Sequence, residues 1–173
     1  MRQALARGPL ITLFLLLSLS VCIAEEKAER YSSPQYGYSL EVPPGWVRKT
    51  DMPRPYVAFL GPVVDNYQTN FSIYTEPAAN KSLAQFVKVA RKTIAGSKIV
   101  RLKSSSQTTL SGTPAVALQT LVTEAGSQPS AVRQILAVHK GRGYTLTFTT
   151  RPGDLKVLTP VFKRVLSSFR WEK

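Results

Sequence analysis

The sequence predicts a mixed α+β domain built on an antiparallel sheet whose central strands are covered on both faces. Several segments alternate apolar and polar residues with the period of a strand, and two others carry apolar residues at helical spacing. Residues 115–122 and 131–138 are apolar in both directions, as expected for strands buried on both faces. The chain has 173 residues and a hydrophobic content of 43%, which favours one folded domain over a disordered chain.

The amino-terminal residues have the pattern of a secretory signal peptide. Arg2 and Arg7 precede an apolar run over residues 10–24, after which acidic residues begin. This run of about 15 residues is shorter than the ~20 apolar residues that a membrane-spanning helix needs. We therefore expect residues 1–24 to be removed as a signal peptide and residues 25–173 to form a single domain. An uncleaved membrane anchor is the alternative.

Cys22, the only cysteine, allows two interpretations of this segment. Leu19-Ser20-Val21-Cys22 is similar to a bacterial lipobox, in which the cysteine becomes lipidated, although Val21 replaces the usual Gly, Ala or Ser. Cleavage after Ala24 by an ordinary signal peptidase fits the small residues better and discards Cys22. A lipoprotein anchored at Cys22 is the alternative. With one Cys and one His, the chain cannot build a Cys/His zinc site or an intrachain disulfide.

Three short strands are predicted in the first part of the domain. Tyr38–Val42 alternates apolar and polar residues, and the Pro-Pro-Gly sequence at 43–45 ends it because proline offers no ladder donor. Residues 56–60 form the second predicted strand, which we expect the Gly-Pro sequence at 61–62 to close. Residues 70–76 form the third.

A capping box and an apolar stripe predict the first helix. Ser82 is followed three residues later by Gln85, a pairing that satisfies free N–H groups at a helix start. Lys88, Arg91 and Lys92 lie off the apolar stripe and are therefore expected to be exposed. The stripe consists of Leu83, Phe86, Val87, Ala90 and Ile94.

The rest of the domain predicts an antiparallel meander followed by a second helix. Its period-two segments are separated by short glycine-containing turns, which is typical of strands joined as hairpins. Thr159 and Pro160 predict the helix start, because proline fits the first turn of a helix, and residues 154–158 form a short preceding turn. The predicted strands are residues 99–103, 107–110, 115–123, 131–140 and 144–150, and the turns include 111–112, 126–127 and 141–143.

Short motifs follow one another in a fixed order along residues 31–171. In this order they resemble the PsbP-like family, which includes DcrB-type bacterial secreted proteins and a nuclear Ran-binding relative. The motifs are Tyr-Gly-Tyr-Ser-Leu-Glu-Val-Pro-Pro-Gly-Trp at 36–46, Asn-Phe-Ser-Ile at 70–73, Ser-Leu at 82–83, Leu-Ser-Gly-Thr-Pro-Ala at 110–115, Tyr-Thr-Leu-Thr-Phe at 144–148, Pro-Val-Phe at 160–162 and Ser-Ser-Phe at 167–169.

The resemblance implies an α/β/α sandwich, an antiparallel sheet flanked by helices, and an accessory or binding protein rather than an enzyme. Photosynthetic members of the family are lumenal and assist the oxygen-evolving complex of photosystem II, where retention of calcium and chloride matters. Because the matching residues are core and turn positions, they carry the fold to this chain but not that role. The expected location is therefore extracytoplasmic: the periplasm, the exterior, or the thylakoid lumen if the source is photosynthetic.

The residues that carry chemistry do not form a recognisable catalytic or metal-binding pattern. His139, the only histidine, has no acidic neighbour in sequence, so we expect a solvated histidine beside a turn. The resemblance leaves calcium possible, but no Asp-x-Asp-x-Asp-Gly loop supplies its ligands, and a site assembled from separate loops, such as Asp65 with Glu76, is the alternative. The Gly-Arg-Gly sequence at 141–143 precedes a strand, as a hairpin turn does, whereas a phosphate loop precedes a helix. We predict no catalytic, cofactor-binding or metal-binding residue.

Positive charge is the unusual quantity of this sequence. Its 23 Lys and Arg against 10 Asp and Glu give a formal net charge of +13. Such an excess favours an acidic protein or an anionic membrane surface as partner, or else serves only solubility. Nucleic acid is not expected, because the chain is exported and has no nucleic-acid-binding motif. The predicted partner-binding residues are Lys88, Arg91 and Lys92 on the first helix and Arg142 in the turn at 141–143.

These observations favour a non-enzymatic exported accessory protein that docks on a membrane-associated or envelope partner through its basic surface. The alternative is a small-ligand carrier, or an enzyme, that uses a pocket between the sheet and a helix. A deep pocket with converging polar groups distinguishes the second function from the first.

Overall fold

The computed structural model describes residues 28–173, which form two antiparallel sheets and two α-helices. The predicted signal peptide and Cys22 lie outside the described residues. The larger sheet has the strand order β3-β4-β5-β9-β8-β7-β6, and the smaller has the order β1-β2-β10. The elements are β1 (Glu29–Ser33), β2 (Tyr38–Val42), β3 (Val47–Lys49), β4 (Val57–Val64), β5 (Tyr67–Pro77), α1 (Leu83–Gly96), β6 (Val100–Leu110), β7 (Thr113–Val122), β8 (Ser130–His139), β9 (Arg142–Thr150), α2 (Leu155–Ser168) and β10 (Arg170–Trp171).

The two helices cover opposite faces of the large sheet, which confirms the predicted fold class. On one face, Phe86 of α1 packs in a cluster with Leu118 of β7 and Leu136 of β8. On the other face, Phe162 of α2 lies 4.6 Å, ring centre to ring centre, from Phe148 of β9. The central strands therefore need apolar side chains in both directions, and the meander β6-β7-β8-β9 follows the predicted order.

The first helix forms as predicted because its ends and its buried face are both specified locally. The Ser82 hydroxyl accepts from the Gln85 N–H, and the Gln85 side chain accepts from the Ser82 N–H, which completes the capping box. Phe86 and Val87 are buried, whereas Lys88 beside them is exposed. The stripe orients the helix so that its polar side faces solvent.

The small sheet was not predicted, and it shares the second face of the large sheet with α2. Its centre is β2, which pairs with β1 on one side and with the two-residue strand β10 on the other. Tyr38 of β2 stacks on Phe169 at 5.5 Å, and Trp171 lies edge-on to Phe169 at 4.8 Å. The carboxyl end of the chain is thus part of the core.

Two strand predictions are wrong in their boundaries. Strand β4 does not close at Gly61 but continues to Val64, with a register shift between Leu60 and Val63 that absorbs the proline in between. The predicted break at residues 104–106 is also absent, because β6 pairs with β7 along its whole length with one shift near Lys103. Serines that favour loops by composition are held in a ladder by their neighbour strand.

The last helix begins at Leu155, so the predicted start at Thr159 and Pro160 is wrong. Pro160 lies inside the helix, where its ring nitrogen cannot donate to a carbonyl one turn earlier. The Thr159 hydroxyl donates to the Leu155 carbonyl at 2.7 Å, and Leu155 itself packs on the core. The Asp154 carboxylate accepts from Arg151 Nε at 2.7 Å rather than from the helix backbone. Burial of the first turn outweighs the missing backbone bond.

Candidate functional site

Helix α1 and strand β6 together display a run of cations, which we call the basic face. Lys88, Arg91 and Lys92 are all exposed on α1, as predicted from their spacing. From Pro77 to Thr123 the sequence contains no Asp or Glu. The basic face consists of Lys88, Arg91 and Lys92 on α1, Lys98 in the following loop, and Arg101 and Lys103 on β6.

The cations of the basic face have no carboxylate partner among residues 28–173. The four salt bridges of the described chain join other residues, at Lys49–Asp51, Arg151–Asp65, Arg151–Asp154 and Arg164–Glu41. Lys88 and Lys92 are also four residues apart on one helix, a spacing at which like charges repel by a few tenths of a kcal/mol. The face therefore keeps its positive potential available to a negatively charged partner.

Arg91 links the helix to the edge strand. Its guanidinium Nη2 donates to the Ser105 hydroxyl of β6 at 2.5 Å. It also lines two clefts, one of about 370 Å³ shared with Lys98 and Arg101 and one of about 320 Å³ shared with Lys88 and Gln107. The first of these clefts thus brings Arg91, Lys98 and Arg101 together between α1 and β6. Spacing along the helix predicts the exposure of Arg91, but only the fold brings β6 beside it.

Arg142 does not belong to the basic face. It is the first residue of β9, and the turn consists of Lys140 and Gly141, both at positive φ, so the predicted turn at 141–143 is shifted by one residue. A Cβ atom on the next residue, Gly143, would lie 2.6 Å from the Phe86 ring of α1. Since neighbouring strand residues point to opposite faces, Arg142 points away from α1. Its guanidinium lies 5.7 Å from the Tyr36 ring centre on that other face.

His139 is not the solvated histidine that the sequence predicts. Its ring stacks on Trp171 at 4.1 Å with an angle of 10° between the planes, and its Nδ1 lies 3.4 Å from the Thr113 hydroxyl. Burial lowers the pKa of His139, and the charge of Lys140 lowers it further. Within residues 28–173 no carboxylate pairs with it. The arrangement suits a packing role, because a general base needs an orienting partner and a reachable substrate.

The carboxylates of the described chain do not converge on a calcium site. Asp65 accepts from Arg151 Nη1 at 2.8 Å, and Asp154 holds the same guanidinium, so both carboxylates raise the pKa of Arg151. Asp65 precedes β5 whereas Glu76 lies near its far end, which places them about 30 Å apart at ~3.3 Å per residue. Residues 28–173 contain no group of three metal-ligating side chains. The Asp65–Glu76 pairing considered from the sequence is therefore wrong.

A second, apolar groove lies along the other side of α1. It has a volume of about 360 Å³ and is lined by Tyr74, Phe86, Val89 and Leu136, with Glu76 among its polar residues. Val89 is 54% exposed on the helix, so the groove opens to solvent. Within the described residues no helix is both long and apolar enough to span a membrane.

A family model described as PsbP matches residues 26–171 of the chain. The fold is similar to that of the cyanobacterial PsbP protein CyanoP from Synechocystis sp. PCC 6803, with a TM-score of 0.63, 18% identity, and coverage of 95% of this chain and 99% of that one. No curated protein sequence matches the chain.

Two further solved structures share the fold. A protein of unknown function from Pseudomonas aeruginosa, PA94, has a TM-score of 0.55 and 19% identity, covering 79% of this chain and 91% of that one. LpqN of Mycobacterium tuberculosis, described as involved in cell envelope biogenesis, has a TM-score of 0.56 and 15% identity, covering 87% of this chain and 88% of that one. At these identities the similarity shows the fold and carries no partner or substrate to this chain.

Proposed function

The chain belongs to the PsbP family, as its motifs predicted, and from that membership we propose that it is an exported, non-enzymatic accessory protein that docks on an acidic surface through its basic face. Members of the family are generally non-enzymatic, and its photosynthetic and DcrB-type members are lumenal or secreted. The signal-peptide pattern of residues 1–24 supports export of this chain in particular. The partner is an acidic region of a membrane-associated or envelope protein, or an anionic membrane surface.

The observation that carries this proposal is the separation of charge on the described molecule. Arg151 is held between Asp65 and Asp154, whereas six cations on α1, β6 and their connection have no acidic neighbour in residues 28–173. Cations without partners on one side of a molecule steer encounter with a negatively charged surface. Screening acts over about 8 Å at physiological salt, so such docking weakens as salt rises.

The test uses the exported protein and a triple reversal of Lys88, Arg91 and Lys92 to Glu. Retention on immobilised polyglutamate and on vesicles containing anionic lipid is measured at about 50 mM and about 500 mM salt, because the distance over which surface charges interact shortens as salt rises. We expect the wild-type protein to bind at low salt and the reversal to lose at least about tenfold in affinity, mainly through slower association.

A matched control reverses three cations outside the basic face. Lys156 and Lys163 on α2 and Lys173 at the chain end are exposed and, within residues 28–173, form no salt bridge, so their reversal changes net charge by the same amount. Equal losses in both triple variants would show that only net charge matters. Retention that changes neither with salt nor on reversal of Lys88, Arg91 and Lys92 would contradict the proposal. It would favour a carrier role for the apolar groove lined by Tyr74 and Val89.

A further inference from the structure

Among residues 28–173, strand β6 is an unpaired edge of the large sheet. It lies at the end of the strand order and, within these residues, pairs only with β7, through ten of its 11 residues. Residues 101–107 are all exposed. An edge of this length presents a row of backbone N–H and C=O groups that another extended chain can pair with.

The register of the β6–β7 hairpin identifies the groups that point outward. Leu110 and Thr113 flank a two-residue turn in which Ser111 and Gly112 have φ values of 46° and 80°, so this pair exchanges both backbone hydrogen bonds. Bonded and non-bonded pairs alternate along an antiparallel ladder. Pro114, which has no N–H, stands opposite Thr109 at the next, non-bonded position.

Counting back from the turn gives the free edge. Thr108 and Ser106 bond to β7, whereas Thr109, Gln107 and Ser105 direct their N–H and C=O groups away from the sheet. Three successive outward residues offer a ladder of up to about six hydrogen bonds to a strand laid alongside.

Recesses lie on both faces of this edge. On the α1 face are the two clefts that contain Arg91, and Gln107 of β6 lines one of them. On the opposite face a cleft of about 150 Å³ is lined by Ser104, Ser106 and Arg133. Side chains of a strand point alternately to its two faces, so a strand added to β6 would direct them toward cationic recesses on each side.

We propose that β6 binds an extended acidic peptide segment of a partner protein by strand addition. The inference rests on the proposed function and assigns the partner's acidic region an extended conformation at this edge. Backbone hydrogen bonds supply affinity, carboxylates reaching Arg91 on the α1 face supply specificity, and the alternate side chains lie in the polar cleft of Ser104 and Ser106 on the other face. A second copy of this chain fits poorly, because pairing β6 with itself brings Arg101 and Lys103 of both copies to one interface.

The experiment measures binding of fluorescein-labelled octapeptides of alternating Glu and Thr to the exported protein. Two further peptides carry N-methyl groups, one on every Glu nitrogen and one on every Thr nitrogen, which blocks opposite edges of the extended peptide without changing its charge. Strand addition predicts that one methylated peptide loses at least about tenfold in affinity while the other binds like the unmodified peptide. Equal binding of all three peptides would overturn the inference.

Two variants of the protein test the same pairing by changing β6 rather than the peptide. Gln107→Pro removes an outward N–H that faces solvent in the free protein, and Gln107→Ala removes the side chain but keeps that N–H. We expect at least about tenfold weaker peptide binding for Gln107→Pro and less than about threefold for Gln107→Ala. Thermal melts of both variants check folding, and if Gln107→Pro does not fold, the methylated peptides still decide the outcome.

The two proposals fail in different ways. Gln107→Pro keeps every cation, so its salt-dependent retention on anionic vesicles, which offer no peptide backbone to pair with, should match wild type. Equal binding of the methylated peptides, with retention still lost in the Lys88/Arg91/Lys92 reversal, would overturn strand addition and leave the basic face as a docking surface. Equal binding of the two N-methylated peptides, together with salt-independent retention of the wild-type protein, would overturn both proposals.

Discussion

At the scale of single residues, the contact between Phe86 and Gly143 fixes how α1 lies on the sheet. The ring occupies the space above Gly143, where a Cβ atom would approach it to 2.6 Å. Gly143 has no positive φ, so this glycine is required by the close approach and not by its backbone conformation. The sequence shows a glycine near a turn there, and only the packing explains it.

Gly143→Ala should therefore destabilise the protein by about 1–3 kcal/mol, because the added methyl displaces the Phe86 ring. Phe86→Ala should cost about 3–5 kcal/mol, since the side chain is only 6% exposed. Chemical denaturation measures both. In the Phe86→Ala background the Gly143 substitution should cost little, and strictly additive effects would contradict the contact.

His139 makes stability depend on pH. Its folded-state pKa is lowered by burial first and by Lys140 second, whereas the unfolded chain titrates near 6.5. The unfolded state thus binds more protons as pH falls, and the stability that neutral His139 contributes, present above about pH 6.5, is lost on acidification. We expect a lower Tm at pH 5.5 than at pH 7.5.

His139→Phe is the matched control for this pH effect. Phenylalanine preserves a ring against Trp171 and cannot titrate. The difference in Tm between the two pH values should shrink in this variant. An unchanged difference would contradict the assignment of the pH dependence to His139.

At the scale of elements, α2 is a helix that tolerates a proline in its second turn. Pro160 removes one backbone bond, and the buried side chains at Phe162 and Val165 hold the helix in place. Pro160→Ala should raise the free energy of unfolding by about 1–3 kcal/mol by restoring the donor and removing the ring clash. Thermal melts test this, and a lower Tm for Pro160→Ala would contradict the cost assigned to the missing backbone hydrogen bond.

At the scale of the whole molecule, the carboxyl-terminal residues join the two sheets. Phe169 is fully buried against Tyr38, and Trp171 pairs with Tyr38 across the β10–β2 ladder. Deleting residues 169–173 should cost more than about 5 kcal/mol, because two large aromatic side chains leave the core. Removal of Lys173 alone serves as the control, and a deletion variant that melts like wild type would contradict this role of the carboxyl end.

The sequence by itself determined the elements whose signals are local. The Ser82–Gln85 box and the stripe that includes Phe86 specify α1 within a few residues, and hairpin turns joining neighbouring strands specify the order β6-β7-β8-β9. The exposure of Lys88, Arg91 and Lys92 followed from the same helical period. Motif order along the chain was enough to predict the family and, with it, helices on both faces.

Only the tertiary structure decided the features that depend on partners distant in sequence. The pairing of β10 with β2, the strand conformation of Ser104–Ser106 and the start of α2 at Leu155 each require a neighbouring element to supply hydrogen bonds or buried surface. The same holds for the site. Alternation along β9 places Arg142 on the face opposite Arg91. Helix α1 packs over β7 and β8, and β6 lies beside it because β6 is the next strand to β7. Local periodicity encodes which side of an element is buried, whereas contacts between elements are set by packing of the whole core.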